Sequence, residues 1–485
     1  MSLFEVGTYI WTGSLVISAL SVPSVLTRRS GQPMSALSWL FALFVIPPFA
    51  LMFWWLFGRT RLRMKRRRRR QRNMEIHRRI EQTLKRQPQP EKPHETLSIV
   101  GNLPRELQNQ LFPPSAGNAV TLLVNAQIAY PAFEQAIRDA QHHVHALFYI
   151  WQNDEVGRKF RDLLVEKARQ GVQVRVLYDS LGSSSLPRKF WKQLREAGGQ
   201  ARAFLPVRFL TSVPTLNFRN HRKILITDAK VGFVGGINLG EEYLRWHDIA
   251  MRMRGPTLDQ IQEVFAEDWY FATKEDLSGG DYFGRWMFDK DDSDDTWRDE
   301  QAQDASCATI ASGPMQRFNS THELMFAAIN NARTRVWMMT PYFVPSSTIL
   351  AALRSAAYRG VDVRLMLPAR NDVKVVRWAS RAYYNELLTS GIQVYEYDGM
   401  LHAKANVFDE DTVFVGSANL DTRSLRHNFE VGTFVHAPSV NLALTTLFME
   451  NIEQYCLEIT PKYMERHPYI YKLLDSVAHL ASPML

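Results

Sequence analysis

The chain has 485 residues, of which 46% are hydrophobic and 22% are charged, and this length is ample for two core-sized units with appendages. Its formal net charge of +9 is concentrated in one place, because the stretch from Arg59 to Arg72 contains ten Lys and Arg residues and no acidic residue. The two cysteines, Cys307 and Cys456, are far apart, which excludes a disulfide framework and gives no spacing typical of a metal site.

The N-terminal region predicts a membrane anchor. Two apolar segments, Val6–Leu26 and Ser35–Phe57, are each close to the ~20 residues that a membrane-spanning helix needs. A cleavable signal peptide fits poorly, because no basic region precedes the first segment and a second apolar segment follows at once. The basic run after the second segment indicates a cytoplasmic end, so residues 1–58 predict a transmembrane helical hairpin. Arg28 and Arg29, in the short connecting loop, argue against this topology.

The basic run admits two kinds of partner. Directly after a transmembrane segment, such a run is attracted to anionic membrane lipids by roughly 1 kcal/mol per basic residue. Nucleic acid is the alternative, but the run has no interleaved aromatic residues for base stacking. The sequence therefore favours anionic lipid and predicts no nucleic-acid partner. Residues 59–97 are interpreted as a basic juxtamembrane segment and a linker that includes the proline-rich stretch Arg86–Thr96.

An internal repeat divides the rest of the chain into two halves. Phe160–Leu177 and Ile349–Met366 each combine an amphipathic helix, a closing glycine and a valine-rich strand. A further strand is predicted upstream of each helix, within His142–Trp151 and within Thr334–Phe343. Strands that alternate with helices predict an α/β fold class.

The repeat also predicts domain boundaries. The first half is placed at residues 98–275, an acidic linker at 276–306, and the second half, with a C-terminal amphipathic segment, at 307–485. More residues separate the closing glycine from the histidine of the repeated motif in the first half than in the second. The extra residues fall around Leu205–Asn220. This loop is a candidate gate for acyl chains or headgroups, and an ordinary surface loop is the alternative.

One motif occurs twice, at the same internal spacing. Its first copy contains His221, Lys223, Asp228 and Asn238, and its second copy contains His402, Lys404, Asp409 and Asn419. Residues two apart face the same side of a strand, so the His and Lys of each copy project together. An imidazole can attack phosphorus or protonate a leaving alkoxide, while lysine and asparagine donors hold phosphate oxygens. The duplication predicts a single paired site for a phosphodiester.

The composition of the motif argues against a metal site. A lysine two residues from each histidine would repel a cation and favours an anion. We therefore expect no metal ligands and no cofactor, and the sequence has no Gly-x4-Gly-Lys-Ser/Thr loop for a nucleotide. Asp228 and Asp409 belong to the catalytic motif, but they could instead anchor its turn or orient the lysine.

The double motif resembles that of the phospholipase D superfamily, and several other strings narrow the resemblance to the bacterial cardiolipin synthases of the phospholipase D type. These strings are Phe148-Tyr149-Ile150-Trp151, Thr340-Pro341-Tyr342-Phe343-Val344-Pro345, Arg377-Trp378-Ala379-Ser380-Arg381-Ala382, Gly416-Ser417-Ala418-Asn419-Leu420-Asp421, Arg423-Ser424-Leu425 and Ser482-Pro483-Met484-Leu485. Together with the N-terminal apolar segments, the resemblance covers essentially the whole chain. Gly236 stands in the first copy where Ser417 stands in the second, which removes one hydroxyl donor.

The resemblance implies both a fold and a reaction. The fold would be two similar phospholipase D-type α/β/α halves, packed as one catalytic module with a pseudo-two-fold site and preceded by the transmembrane hairpin. The reaction would convert two phosphatidylglycerol molecules into cardiolipin and glycerol through a phosphatidyl-histidine intermediate. By analogy, His221 would be the nucleophile and His402 the acid and base, while Asn238, Asn419 and Ser417 would bind phosphate.

A carboxylate follows each histidine and is implied as its partner. Asp248 lies 27 residues after His221, and Glu430 lies 28 residues after His402. In superfamily members a carboxylate at about this place accepts a hydrogen bond from the second ring nitrogen, which fixes the tautomer and stabilises the imidazolium. Ordinary surface carboxylates are the alternative.

Several functional alternatives stay open. A phospholipase D-type hydrolase or a phosphatidylserine synthase would share the catalytic residues, and a superfamily nuclease or a non-catalytic lipid scaffold is also conceivable. The acceptor could be phosphatidylethanolamine or another alcohol, and the sequence does not give the oligomeric state. The expected location is the bacterial cytoplasmic (inner) membrane, with a multi-pass anchor and a cytoplasmic catalytic module.

Overall fold

A computed structural model describes residues 3–29, 33–55, 74–86, 108, 111–206, 218–285, 300–314, 316 and 318–480. The described chain falls into two compact units, one that contains residues 3–55 and one that begins at residue 74. The whole of the basic run, most of the proline-rich linker, the centre of the Leu205–Asn220 loop, much of the acidic linker and the terminal Ser482–Leu485 lie outside the described residues.

The described part of the N-terminal unit contains three helices: α1 (Leu3–Arg28), α2 (Pro33–Val45) and α3 (Pro47–Phe53). Within α1, the stretch Glu5–Arg28 is long and apolar enough to cross a membrane. The second predicted span is not one helix, because the chain breaks at Ile46 before two prolines that lack amide donors. Of the predicted hairpin, one apolar helix of spanning length is therefore confirmed, and a second is not.

The larger unit is built on eighteen strands among the described residues. They are β1 (Ser115–Val124), β2 (His143–Phe148), β3 (Gln173–Asp179), β4 (Gln200–Phe204), β5 (Arg219–Asn220), β6 (Ile224–Thr227), β7 (Val231–Gly235), β8 (Ile249–Arg254), β9 (Ala302–Ser312), β10 (Arg335–Met339), β11 (Phe343–Val344), β12 (Asp362–Pro368), β13 (Gln393–Tyr397), β14 (Ala405–Phe408), β15 (Thr412–Gly416), β16 (Leu420–Asp421), β17 (Asn428–His436) and β18 (Cys456–Ile459). Strands β11 and β16 pair with each other, and the other sixteen form one sheet.

Helices cover this sheet. They are α4 (residues 74–84), α5 (Ala126–Asp139), α6 (Glu155–Arg169), α7 (Lys192–Glu196), α8 (Thr257–Thr273), α9 (Ser320–Asn331), α10 (Ser347–Tyr358), α11 (Lys374–Arg381), α12 (Tyr384–Thr389), α13 (Thr422–His427), α14 (Pro438–Tyr455), α15 (Pro461–Glu465) and α16 (Tyr469–Leu480). Short 3-10 helices occupy Glu241–Arg245 and Gly280–Tyr282.

The strand order repeats on either side of a central antiparallel pair, β1 and β9. Outward from β1 the order is β8, β7, β6, β2, β3, β4, and outward from β9 it is β17, β15, β14, β10, β12, β13, with β18 at the edge. In each half the inner strands are antiparallel, and the next three are parallel with helical crossovers, namely β2, β3 and β4 in the first half and β10, β12 and β13 in the second, while the edge strand β18 is antiparallel to β13. The predicted α/β class and its two similar halves are thus confirmed.

The two predicted helix–glycine–strand repeats form as expected. Helix α6 begins after Asp154, whose side chain caps Gly157 N, and α10 begins after Ser346, whose hydroxyl caps Ile349 N. Both helices end at a glycine in the left-handed region, Gly171 with φ +89° and Gly360 with φ +87°. The valine-rich strands β3 and β12 follow within two residues.

The cores show how the halves are joined. On one face of the sheet, α8 and α14 share a single apolar core that draws on both halves and includes Met251, Phe265, Val431 and Leu444. On the other face each half has its own core, under α5 and α6 in the first and under α9 and α10 in the second. The continuous sheet and the shared core hold the two motif copies in one body.

Candidate active site

Each histidine motif lies at the start of an antiparallel hairpin. Strand β6 begins directly after Lys223 and pairs with β7, and β14 begins directly after Lys404 and pairs with β15. The return strands β7 and β15 bring Asn238 and Asn419 back to the same end of the sheet.

The two halves are joined by main-chain hydrogen bonds next to both histidines. His221 N donates to Phe429 O at 2.9 Å, because β5 of the first half pairs with β17 of the second. His402 N donates in turn to His247 O at 2.7 Å. Phe429 and His247 each directly precede a carboxylate, so each histidine is placed beside the carboxylate of the other half.

The side chains form this exchanged pairing. His221 Nδ1 lies 3.1 Å from Glu430 Oε2, and His402 Nδ1 lies 2.6 Å from Asp248 Oδ2. The sequence interpretation, in which each carboxylate belongs to the histidine before it in the same half, is wrong about the pairing. With Nδ1 occupied by a carboxylate, Nε2 is the ring nitrogen left for a phosphorus atom.

Both lysines are buried at the same centre. Lys223 Nζ donates to His221 O at 2.6 Å, and Lys404 Nζ donates to His402 O. Burial lowers the pKa of Lys223 well below its usual value, and repulsion from Lys404 adds to the effect. Burial lowers the pKa of Lys404 to about 8, although Asp248 and Glu430 oppose the shift. Two buried lysines from different halves therefore lie close enough to repel each other, and their binding of an anion stays a prediction.

Burial favours the neutral form of both histidines. Burial lowers the pKa of both imidazoles, and for His402 it reaches about 3, with repulsion from Lys404 as the next cause. The carboxylates act against burial and raise the pKa values of the histidines. Burial alone would also raise the pKa values of Asp248 and Glu430, but the nearby histidines and lysines lower both. An anionic ligand would favour the imidazolium and raise the histidine pKa values again.

Glu430 is held by several donors besides His221. Ser417 Oγ donates to Oε2 at 2.5 Å, while Ser424 Oγ and Asn428 Nδ2 donate to Oε1 at 3.0 Å and 3.1 Å. Ser417, which the resemblance assigns to phosphate binding, thus donates its hydroxyl hydrogen to Glu430. This contact differs from the phosphate-binding role that the sequence suggests for it.

The first half cannot hold an equivalent serine. A Cβ at Gly236 would lie 2.2 Å from Asp248 Oδ1, far inside any van der Waals contact. The shorter Asp248 approaches this backbone directly, whereas the longer Glu430 leaves room for the Ser417 hydroxyl. Gly236 and Ser417 are therefore matched to the carboxylates they face.

The asparagines are buried beside the histidines. Asn238 Oδ1 accepts a hydrogen bond from Ile150 N at 3.1 Å, which orients its amide group. Asn419 is also buried, and its Oδ1 has no hydrogen-bond partner among the described residues. Both amides are close to the site, and their contact with phosphate stays a prediction.

Asp228 and Asp409 lie at the far ends of β6 and β14 from the histidines. Asp228 accepts hydrogen bonds of 2.7–2.8 Å from the backbone N–H groups of residues 141–143. Asp409 binds the backbone N–H groups of residues 333–335 in the same way. Both have positive φ, +56° and +50°. Of the interpretations that the sequence left open, these hydrogen bonds support the anchored turn, and a direct part of either aspartate in catalysis is untested.

Sequence reasoning missed three neighbours of the site. The ring of Tyr149 lies 4.8 Å from that of His221, and the ring of Trp246 lies 5.0 Å from that of His402. Tyr149 belongs to one of the strings that carry the family resemblance, and Trp246 lies two residues before Asp248, but neither was assigned to the site. Arg222 is the third: it binds Asp268 at 2.6 Å and Glu430 O at 3.1 Å, although its place between His and Lys predicts an outward direction.

Comparison with known proteins agrees with this site. The family model described as "Cardiolipin synthase, PLD-like domain" matches residues 133–269 and 325–452, more than half of the chain. Each matched segment contains one complete copy of the histidine motif. The chain belongs to the cardiolipin synthases of the phospholipase D superfamily.

Relatives in this family are similar over almost their full lengths. The cardiolipin synthase of Geobacillus thermodenitrificans (strain NG80-2) is 34% identical over 96% of this chain and 92% of the relative. That of Geobacillus sp. (strain WCH70) is 32% identical over 100% of this chain and 97% of the relative. A phosphatidylserine synthase from Haemophilus influenzae Rd KW20 matches 76% of this chain and 95% of its own, with a TM-score of 0.57 and 15% identity. That likeness shows the fold alone.

Proposed function

We propose that this protein is a cardiolipin synthase that joins two phosphatidylglycerol molecules and releases glycerol. The observation that carries the proposal is the exchanged pairing of His221 with Glu430 and of His402 with Asp248 around two buried lysines. Such a site offers two imidazoles to one phosphorus atom, as a double displacement requires. The full-length relatives supply the identity of the reaction.

In the first step, His221 Nε2 attacks the phosphorus of one phosphatidylglycerol. The phosphorus–nitrogen bond forms as the bond to the glycerol oxygen breaks, and His402 donates a proton to that oxygen. The anionic phosphodiester favours the charged form of His402, and Asp248 at 2.6 Å stabilises the imidazolium. The order of the two histidines follows the superfamily resemblance.

In the second step, the neutral His402 accepts a proton from the terminal hydroxyl of a second phosphatidylglycerol. The resulting oxygen nucleophile attacks phosphorus, and His221 leaves as the neutral imidazole. Lys223 and Lys404 would neutralise the phosphate oxygens in both steps, and Asn238 and Asn419 would donate hydrogen bonds to them. One phosphodiester replaces another, so the exchange is reversible and needs no nucleotide.

Membrane attachment favours transfer over hydrolysis. Helix α1 is long and apolar enough to hold the enzyme at a bilayer, where lipid hydroxyls are concentrated. Both histidines are buried, which limits access of water to the phosphatidyl-histidine. The proposed topology is a multi-pass anchor in the bacterial cytoplasmic membrane with the catalytic halves, residues 98–275 and 307–485, in the cytoplasm.

Mass spectrometry of lipid products tests this proposal. The reconstituted enzyme is given isotopically labelled phosphatidylglycerol, with unlabelled phosphatidylethanolamine or water as competing acceptors. We expect doubly labelled cardiolipin and free glycerol, both lost in His221→Ala. Mainly phosphatidic acid would identify a hydrolase, a labelled phosphatidyl group on phosphatidylethanolamine would change the acceptor, and unchanged products in His221→Ala would indicate a scaffold.

A further inference from the structure

Helix α16, near the end of the chain, carries large apolar side chains on its outer face. Tyr469 and Leu480 are 80% and 79% exposed, and Ile470, Leu473 and Val477 are exposed as well. Their spacing along the helix places them on one continuous face. An exposed stripe of this kind marks a contact surface, because a surface helix of a soluble protein normally turns its large apolar residues towards the core.

The opposite face fixes α16 to the catalytic module. Ala478 and the carboxylate of Asp475 are buried, and Asp475 Oδ2 lies 3.7 Å from His467 Nε2. The His479 ring lies 4.9 Å from that of Tyr383, which follows α11. Helix α16 therefore differs from an ordinary surface helix, because it buries an acidic residue and exposes a stripe of apolar residues. Because the helix is docked by its inner face, the outer face is available to a different apolar phase.

A basic groove lies in the segment that directly precedes α16 in the chain. A groove of about 510 Å³ just before α16 is lined by Lys462, Arg466 and His467, with Glu458 as its one lining carboxylate. An apolar helix face that follows a basic segment in the chain matches an anionic bilayer, which offers acyl chains and phosphate headgroups side by side. A protein partner would match the apolar face but gives no reason for the neighbouring basic groove.

The stripe is also connected to the active site. Helix α16 packs on α11. The segment before α11 is hydrogen-bonded to the Thr340–Pro345 segment after β10. Asn371 Nδ2 donates to Pro341 O at 2.8 Å, and the Tyr342 hydroxyl donates to Asp372 at 2.8 Å. The Thr340–Pro345 segment includes β11, which pairs with β16 directly after Asn419. A bilayer at α16 would thus lie one helical layer from the phosphate site.

We propose that α16, with Lys462 and Arg466, is a second membrane contact of this enzyme, and that its apolar face inserts among the headgroups of an anionic bilayer. This contact is additional to α1. It deepens the proposed function, because both lipid substrates would then enter from the surface to which α16 holds the module.

A spin label reports insertion in the full-length protein. The label is placed at Val477→Cys in a Cys456→Ser background, with Glu166→Cys, an exposed polar site on α6, as the matched control. In vesicles of phosphatidylglycerol and phosphatidylcholine we expect oxygen to reach the Val477 label and a water-soluble nickel complex to be excluded, with the reverse at Glu166. Lys462→Glu with Arg466→Glu should weaken insertion in these vesicles and have little effect in pure phosphatidylcholine.

Activity supplies the second measurement. For Leu473→Glu with Val477→Glu, the ratio of cardiolipin formation in vesicles to that in detergent micelles should fall at least about tenfold, because two inserted apolar side chains become charged. Ser476→Glu, which adds a charge beside the stripe, should keep the ratio within about twofold of the wild type.

The outcomes separate this inference from the proposed function. A Val477 label as accessible to the nickel complex as the Glu166 label would overturn the second contact, even if cardiolipin forms. So would a label that becomes shielded in detergent as protein concentration rises, since a second copy would then cover α16. Absence of cardiolipin from the wild type in micelles would instead overturn the proposed function, while the label would still report insertion.

Discussion

Asp248 Oδ2 lies 2.6 Å from His402 Nδ1, although the two residues belong to different halves of the chain. The complementary contact, between His221 and Glu430, is also exchanged. Neither half therefore contains a complete histidine–carboxylate pair. The shared sheet and the pairing of β5 with β17 hold both pairs together, so each half positions the catalytic group of the other.

This exchange predicts which carboxylate serves the proposed acid. Asp248→Asn should lower the rate with phosphatidylglycerol about 10²–10⁴-fold, because the imidazolium of His402 loses its anionic partner. A phosphatidyl ester of p-nitrophenol needs no proton on its leaving group. With this substrate we expect the burst of p-nitrophenol to recover in Asp248→Asn and in His402→Ala, but not in Glu430→Gln or His221→Ala.

The four variants also control one another. If the histidines act in the opposite order, recovery should occur in Glu430→Gln together with His221→Ala, and the exchanged pairing still holds. Recovery of Asp248→Asn together with His221→Ala would contradict the exchanged pairing and would support pairs within each half.

A second prediction concerns the residues that face the carboxylates. Gly236→Ser should displace Asp248, because a Cβ would lie 2.2 Å from its Oδ1. We expect this variant to lose about as much activity as Asp248→Asn and to lose about 1–3 kcal/mol of stability. Ser417→Gly removes one of several donors to Glu430 and should lower activity only about tenfold. Steady-state rates and thermal unfolding measure both. Equal losses in the two variants would mean that Asp248 moves aside without cost.

A third prediction separates Asp228 and Asp409 from the chemistry. Asp228→Ala should reduce the free energy of unfolding by about 2–4 kcal/mol, because three backbone N–H groups lose a charged acceptor. Asp228→Asn keeps one acceptor oxygen and tolerates the positive φ, so its loss should be smaller. Asp409→Ala and Asp409→Asn should behave in the same way.

The measurements for these variants are denaturant unfolding and kcat per folded molecule. We expect kcat to stay within about threefold of the wild type once the folded fraction is counted. A fall of about a hundredfold in fully folded Asp228→Asn would give the aspartate a direct part in catalysis.

The sequence predicts the elements of the site well because they depend on local spacing. Lys223 follows His221 by two residues at the entrance to β6, and extended chain turns side chains two residues apart to one side. The hairpins after each motif, and the helices that end at Gly171 and Gly360, follow from equally local signals. These features do not depend on how distant segments meet.

Other features depend on distant contacts and could not be predicted. The partner of Asp248 is decided by where residues 154 positions apart meet in the folded sheet. Arg222 turns inward because Asp268 and the backbone of β17 accept its hydrogen bonds, whereas its counterpart Ala403 has no such group. The break at Ile46, by contrast, has a local signal in the two prolines that follow it, because their missing amide donors interrupt the helix.

The last prediction concerns pH and Lys404, whose pKa burial lowers to about 8. Above that pH the free enzyme loses a positive charge from its phosphate site, so kcat/KM for phosphatidylglycerol should fall with an apparent pKa of about 8. Stability should change in the opposite sense. Between pH 8 and 10.5 the unfolded lysine keeps a proton that the folded lysine has lost, so raising the pH favours the folded state.

Two variants isolate the effect of this one group. Lys404→Arg stays charged throughout, so the alkaline fall in kcat/KM near pH 8 should disappear even if the absolute rate is lower. Lys404→Met does not titrate, so the stability of the wild type relative to this variant should rise from pH 8 to 10.5 and be constant below pH 8. An unchanged alkaline limb in Lys404→Arg, or a stability difference that is flat across this range, would show that Lys404 keeps its proton in the folded enzyme.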